Sequence, residues 1–531
     1  MRRRGLRAGV LALAVAASLV ACASSPASPN TAATGEPTQG GTMVVAVSAD
    51  PPSLNPMTSQ ALATWYVSNQ ILETLVKYDE NFEPQPGLAS SWEVNDEGTV
   101  YSFTLQEGVT WHDGEPFTAD DVIYTFNDAG PEYSNTYKLV MNDLESVTAA
   151  DNVVTFTFSQ PVGSFMSYVG DPNFSILPKH IYEGTDVTTN PTNMAMIGTG
   201  PYVLDEWVQG DHLTLVRNED YWQDGYPYLD SLIFRPVSNP ATAVASLQSG
   251  DVDFIMSAIP PVNAQALESD ENVVLDSPSV MARTLDLWFD LREAPFDDVR
   301  VREAVSLALD RQRMVDSIAF GQTSTARGPI GTTSPYFDED LPEIEQDLEA
   351  AGDLLDDAGY PLDGDTRFTM ELRVSTANDQ FVRTAELVRE NLSDIGIDVE
   401  VVAAENTATL DAVFTNWDFE AAIYSMPLGP EPSLQLPAWL GETGINHAFF
   451  SNAGGYTNPE VDALTLEAQA TVDVDERTAL YGEIQEIVMA DLPMVPLWEP
   501  VFISGYRSEF GNAFTAPDDR YLTFTTTYLS E

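Results

Sequence analysis

GTGPYVLDEWVQGDHLTLVRNEDYW, residues Gly198–Trp222, decides how the rest of the chain is laid out. Gly198, Gly200 and Pro201 make a turn. After it, Tyr202 to Gln209 and His212 to Arg217 alternate apolar and polar residues on either side of Gly210-Asp211. Two alternating runs joined by a Gly-Asp pair read as a β-hairpin. With 531 residues, the chain is too long for one ordinary hydrophobic core, and its 44% hydrophobic content can fill more than one. The hairpin is therefore expected inside a chain of at least two domains.

Upstream, Met43 to Val47 is a short buried strand stopped by Asp50-Pro51-Pro52 and followed by Leu54-Asn55-Pro56. Ala61 to Lys77 carries Trp65, Ile71, Leu72 and Leu75 at roughly helical spacing, which predicts a first helix. In Gly87 to Phe126, Tyr101, Phe103 and Leu105 alternate after a turn at Asn95 to Gly98, and Thr118 with Asp121 forms a capping-box pattern. Val154, Phe156 and Phe158 mark one face of a further strand.

Downstream, Asn239-Pro240 opens a helix that Gly250 closes, and Asp251 to Ile255 continues as a strand. Phe296 to Arg302 precedes a helix with Val301, Ala304, Val305 and Ala308 on one stripe. Arg300, Arg302, Arg311 and Arg313 could form an anion site, but a solvated, salt-bridged helix face is the plainer expectation. A helix from Leu348 to Ala358 stops at Gly359 and Pro361. Alternation at Phe368 to Val374, helical spacing from Phe381 to Ile395 and alternation again at Ile397 to Val401 make a β-α-β unit, which implies a parallel pair. Asn458-Pro459 and Asp475-Glu476-Arg477 open two more helices, with Leu480, Ile484, Ile487 and Val488 facing inward on the second. No internal repeat is evident.

The amino terminus reads as an address. Arg2, Arg3, Arg4 and Arg7 precede the apolar run Val10 to Val20, too short for a comfortable bilayer anchor, so 1–21 reads as a secretory signal peptide. It ends at Leu19-Val20-Ala21-Cys22, which resembles a bacterial lipobox and makes Cys22 the expected lipidation site. Cys22 is the only cysteine, which excludes an intrachain disulfide and a thiolate metal site. Residues 22–40 are dominated by Ser, Pro, Ala, Thr and Gly and suit a flexible tether. The formal net charge is −59, and cleavage before Cys22 takes it to −63. So acidic a chain disfavours nucleic acid and anionic lipid headgroups as partners.

Taken in order, these blocks resemble the extracellular solute-binding proteins of ABC importers, family 5, the peptide and nickel type. The likeness runs from about Gly41 to Trp498 and rests on the Gly198–Trp222 stretch, Leu54-Asn55-Pro56, Gly87 to Phe126, Phe296 to Arg302 and Leu492 to Leu497. It implies an α/β, two-lobed periplasmic-binding-protein-like fold of the type II, large three-subdomain form, with a hinge between lobes. The implied division is 41–282 for lobe one with an inserted subdomain at about 79–188, 283–498 for lobe two, and 499–531 as the return to lobe one. It also implies a monomer that captures a small solute in the interlobe cleft and hands it to a permease and ATPase complex, held to the membrane by its lipid. No cofactor is implied.

The resemblance places Trp65, Trp417, Ser425, Leu428, Trp439, Phe449, Asn452 and Tyr456 in regions that face the cleft, although core packing is an equally good account of any single aromatic. Peptide-binding relatives commonly present an aspartate to the peptide's α-ammonium in a Trp-Gly-x-Asp-Tyr-x-x-Pro-like stretch. Here Leu428 stands in that position, and Glu431 corresponds to a second, structural acid. Peptide is the expected ligand by family, while the missing acid favours an oligosaccharide or another uncharged solute. His112, His180, His212 and His447 are scattered, with none at i, i+3 or i, i+4, which argues against a metal site. Trp111-His112-Asp113-Gly114 looks catalytic at first sight but reads better as a structural turn. A secreted hydrolase, the rival class, would need a motif such as Gly-x-Ser-x-Gly or His-Glu-x-x-His, and the sequence has neither.

Overall fold

The hairpin forms as its alternation requires. In a computed structural model that describes residues 36–276, 283–428, 431–500 and 502–530, Tyr202–Val208 pairs antiparallel with His212–Arg217. Gly210, with φ of +80°, carries the turn. The Gly198–Pro201 turn before it is pressed against the backbone at Gln70 and Ile71. Gly200 N–H donates to the Ile71 carbonyl at 2.8 Å and Tyr202 N–H to that of Gln70 at 3.0 Å. A Cβ on Gly198 would lie 1.8 Å from the Ile71 oxygen, so only glycine fits.

These bonds explain why the first helix is shorter than its periodicity predicts. It covers Leu62–Ser68 rather than extending to Lys77. Beyond Ser68 the carbonyls of Gln70, Ile71, Thr74 and Leu75 accept from Tyr202, Gly200, Leu88 and Ala89 instead of from their own next turn. Ile71, Leu72 and Leu75 are still fully or almost fully buried, in tertiary contacts rather than on a helix face.

The hairpin is one edge of a seven-stranded mixed sheet, the frame of lobe one. From the other edge the order is Val273–Asp276, Ile503–Arg507, Phe254–Ile259, Thr42–Val47, Ser231–Pro236, His212–Arg217 and Tyr202–Val208. Thr42–Val47 is parallel to both neighbours, whose carboxyl ends, with its own, share one edge of the lobe. Asn239 caps the helix Pro240–Ser249 and Gly250 ends it in the left-handed conformation, as the sequence implies.

Between the first strand and the hairpin, four antiparallel strands form a separate sheet in the order Ala89–Val94, Val100–Leu105, Val153–Phe158, Leu144–Ala150. Phe103, Phe126, Phe156 and Phe165 meet edge-on or tilted in its core, with ring centroids 4.8–6.1 Å apart. Thr118 N–H donates to Asp121 Oδ2 at 2.9 Å in the capping box that opens Ala119–Tyr124.

Lobe two is built on a five-stranded sheet, ordered Ile397–Ala404, Phe368–Ser375, Ala421–Pro427, Arg283–Phe289, Met494–Trp498. The β-α-β unit is present: Phe368–Ser375 and Ile397–Ala404 are parallel, joined by the helix Asp379–Ser393. Leu285, Leu287 and Phe289 face one core with Val301, Val305 and Val388, while Trp288 faces another with Trp439, Tyr481 and Val488. The arginines of this lobe divide. Arg300 and Arg313 pair with Asp298 and Glu390 at the surface. Arg302 and Arg311 are buried, against the expectation of a uniformly solvated face. Arg302 donates to the carbonyls of Leu492 and Phe296 at 2.8 and 2.7 Å, and Arg311 to those of Pro496 and Ser306 at 2.7 and 2.9 Å. Burial pulls the Arg311 guanidinium down to about 9.

The chain passes between the lobes after Asp276 and again after Trp498. A third contact joins them through the inserted sheet region. Gly163 N–H donates to the Gln469 carbonyl at 2.8 Å, and Tyr168 OH to that of Glu431 at 2.6 Å. Glu431 is itself fully buried, with Oε2 3.1 Å from Arg477 Nε.

Candidate ligand-binding cleft

Both crossings lie at the edge of each sheet where its parallel strands end. In lobe one, Ile503 pairs with Ile259 and Ser504 with Asp276. In lobe two, Arg283 pairs with Pro427, the last residue of a strand that runs parallel to Phe368–Ser375. The carboxyl edges of the two sheets therefore face each other, the arrangement in which α/β proteins hold ligands. A cavity of about 400 Å³ lies between them, lined by Ala258–Val262 from lobe one and by Phe320, Ala377–Gln380 and Arg383 from lobe two.

At the crossing itself the lining is polar and aromatic. Trp65, 8% exposed, has an indole N–H with no hydrogen-bond partner among the described residues, and the Arg520 guanidinium lies 5.6 Å from its ring. Tyr66 donates its hydroxyl to Asp519, and Arg520 N–H donates to Asp518 Oδ1 at 3.0 Å. Burial, then the neighbouring Asp518, pushes the Asp519 carboxyl up to about 8. Across from these groups the Arg283 guanidinium stacks 4.7 Å from the ring of Phe502. Of this set only Trp65 was foreseen. The signals available were an isolated arginine opening an apolar strand and a charged Asp518-Asp519-Arg520 triplet in the carboxyl-terminal segment.

Of the other seven candidates, only Leu428 lies near the crossing. Leu428 follows Pro427 at the carboxyl edge and is buried with Tyr336 and Trp439. Ser425 lies inside its strand opposite Leu285, with a buried hydroxyl that has no partner among the described residues. Trp439 is a core residue, its ring 5.2 Å from that of Trp288. Trp417, Phe449, Asn452 and Tyr456 belong to the opposite end of the sheet, where Phe289 pairs with Ala421 and Leu291 N–H donates to Gly454. Six strand residues separate that end from Arg283, roughly 20 Å. There Trp417 stacks on His447 at 4.1 Å beneath Arg292. Asn452 spends its amide on Gly441 and Tyr456, Tyr456 donates to Asp491 at 2.6 Å, and Phe449 is about half exposed. Cys22 and the leader lie outside the described residues.

His112 has the part expected of a structural turn. Its Nδ1 accepts from Gly198 N–H at 3.3 Å and its Nε2 donates to the Gly200 carbonyl at 3.0 Å, which fixes one neutral tautomer. Burial holds its pKa below the ordinary imidazole value. Among the described residues no group of three or more His, Cys, Asp or Glu is arranged to hold a metal ion.

The sequence model of the bacterial extracellular solute-binding proteins, family 5 Middle, matches residues 83–447. The chain belongs to that family. Among curated family 5 relatives, the oligopeptide-binding protein AppA of Bacillus subtilis is 30% identical over 507 residues, 91% of each chain. The glutathione-binding protein GsiB of Salmonella typhi is 28% identical over 494 residues, 90% of this chain and 92% of its own. The periplasmic binding protein DppA of Helicobacter pylori, solved in complex with the peptide STSA, superposes with a TM-score of 0.73 at 26% identity, covering 93% of this chain and 99% of that one. Like that solved protein, this family 5 chain is a two-lobed α/β structure. No helix among the described residues is long and apolar enough to cross a membrane.

Proposed function

We propose that this protein is the substrate-binding component of an ABC importer, that it captures a short peptide between its lobes, and that it delivers the peptide to a membrane permease. The observation that carries this reading is the coincidence of two facts. The lobes present their carboxyl edges to one another around a cavity of about 400 Å³. Relatives covering nine-tenths of the chain are named for oligopeptide and glutathione binding. Capture requires shape, hydrogen bonds and closure about the crossings rather than catalytic groups, so the reading is of a carrier and not an enzyme. Residues 41–282 and 499–531 serve as lobe one, with the insertion at about 79–188, and 283–498 as lobe two. Cys22 serves as the lipid attachment point outside the cytoplasmic membrane, with 22–40 as tether. Trp65 and Leu428 are the sequence-chosen residues best placed to meet ligand.

Native mass spectrometry of the purified full-length chain tests this. Retained masses that resolve into short peptides uphold it. A ladder spaced by hexose units would move the protein to oligosaccharide binding, the second reading, which the apolar Leu428 favours.

A further inference from the structure

Arg283 pairs with no carboxylate among the described residues, although the charges of Asp518 and Asp519 reach it. It is the first residue of the strand that enters lobe two, stacks on Phe502 of the return crossing at 4.7 Å, and its side chain makes no ion pair or hydrogen bond among the described residues. The nearby carboxylates are committed elsewhere. Asp518 accepts from Arg520 and Asp519 from Tyr66. Past the end of the neighbouring strand, Leu428 has no side-chain acceptor to offer. Burial lowers the guanidinium from its ordinary value, and the nearby Asp518 and Asp519 offset only part of that effect. A partly buried guanidinium whose donors go unused among the described residues is costly to keep, and its planar fork matches a carboxylate through two parallel hydrogen bonds.

We propose that Arg283 receives an anionic group of the ligand, so that the cleft selects peptides by a carboxylate placed at the crossing between lobes. This rests on the peptide-binding reading and deepens it. The chain as a whole carries −59, so a local cation at the crossing is also what lets an anion be held in so acidic a molecule. The stack on Phe502 orients the guanidinium plane before ligand arrives.

The test uses the purified full-length chain and two probe sets measured by calorimetry: tri- to pentapeptides with free carboxyl termini and the same peptides as amides. Wild type is expected to bind the free acids roughly tenfold more tightly or better. Arg283→Gln is expected to remove that preference and Arg283→Lys to keep part of it, with melting curves showing all three chains folded. Equal binding of acids and amides by wild type, or a preference that survives Arg283→Gln, overturns the proposal. If neither peptide set binds, gluco- and glucurono-oligosaccharides are compared. A preference for the uronates that Arg283→Gln abolishes upholds the role of Arg283 while removing the peptide reading. Equal binding of the two sugars, or no binding of any probe, overturns both.

Discussion

Glu73 Oε2 lies 2.9 Å from the indole nitrogen of Trp222 and 3.0 Å from Thr199 Oγ1, so one buried carboxylate grips both ends of the stretch that organises lobe one. Its other oxygen accepts from Tyr221 at 2.8 Å and pairs with Lys77 at 2.7 Å. Glu73→Ala strands these donors, one of them an ammonium, and is expected to cost about 3–5 kcal/mol. Glu73→Gln keeps an acceptor and should cost less. Urea unfolding followed by tryptophan fluorescence measures both, and equal midpoints for Glu73→Ala and wild type would remove the grip from the account.

Two glycines should respond very differently to a methyl group. Gly198→Ala puts a Cβ against the Ile71 carbonyl, a backbone atom with nowhere to go, and is expected to cost more than about 3 kcal/mol or to prevent folding. At Gly114, φ is +88° but nothing lies within 4 Å of the added carbon. Gly114→Ala should therefore cost only about 1 kcal/mol of backbone strain. Yields of folded protein and melting temperatures separate the two cases.

Acid should weaken the clamp that His112 makes on Gly198 and Gly200. The imidazole is held neutral by burial, with a folded pKa below its unfolded value of 6.5. Its contribution is thus complete above about pH 6.5 and falls as pH drops toward the folded pKa, because the unfolded chain binds the proton first. His112→Gln is expected to be less stable than wild type at pH 7.5, by an amount that narrows between pH 6.5 and 5. A gap that stays constant over that range would show that the ring does not titrate on unfolding.

The buried pair of Glu431 and Arg477 should be worth most when half of it is missing. Arg477→Met leaves a fully buried carboxylate without its cation and is expected to lose about 3–5 kcal/mol. Adding Glu431→Gln should recover part of that loss, since the charge goes as well. Chemical denaturation of the two single variants and the double variant gives the coupling, and strict additivity would contradict it.

Features set by neighbours in the chain were legible from the sequence. The hairpin, the helices opened by Asn239 and Asn458, and the β-α-β unit all follow from local caps, turns and alternation. Features set by distant partners were not. The first helix stops at Ser68 because Gln70 and Ile71 give their carbonyls to a segment about 130 residues away. Arg302 and Arg311 look solvated in sequence, and only the folded chain brings the carbonyls of Leu492 and Pro496 to them. For the candidate site, the sequence offered residue types but not their places along the strands. Aromatic character drew attention to Trp417 and Tyr456, whereas strand register puts them a full strand length from the crossing and leaves Arg283 there instead.

The bond from Gly163 to Gln469 has a mechanical consequence. Two crossings alone would define an axle, about which lobe two could swing freely. A main-chain contact off that axis supplies a third foot, and three feet that are not in line fix the attitude of one rigid body on another. The gap at Gly163 is so tight that a Cβ would fall 1.8 Å from the Thr471 oxygen, so this foot seats backbone on backbone with no compliant side chain between. Any swing about the axle must first lift it, and the inserted sheet thus acts as a rest against which the angle between the lobes is set.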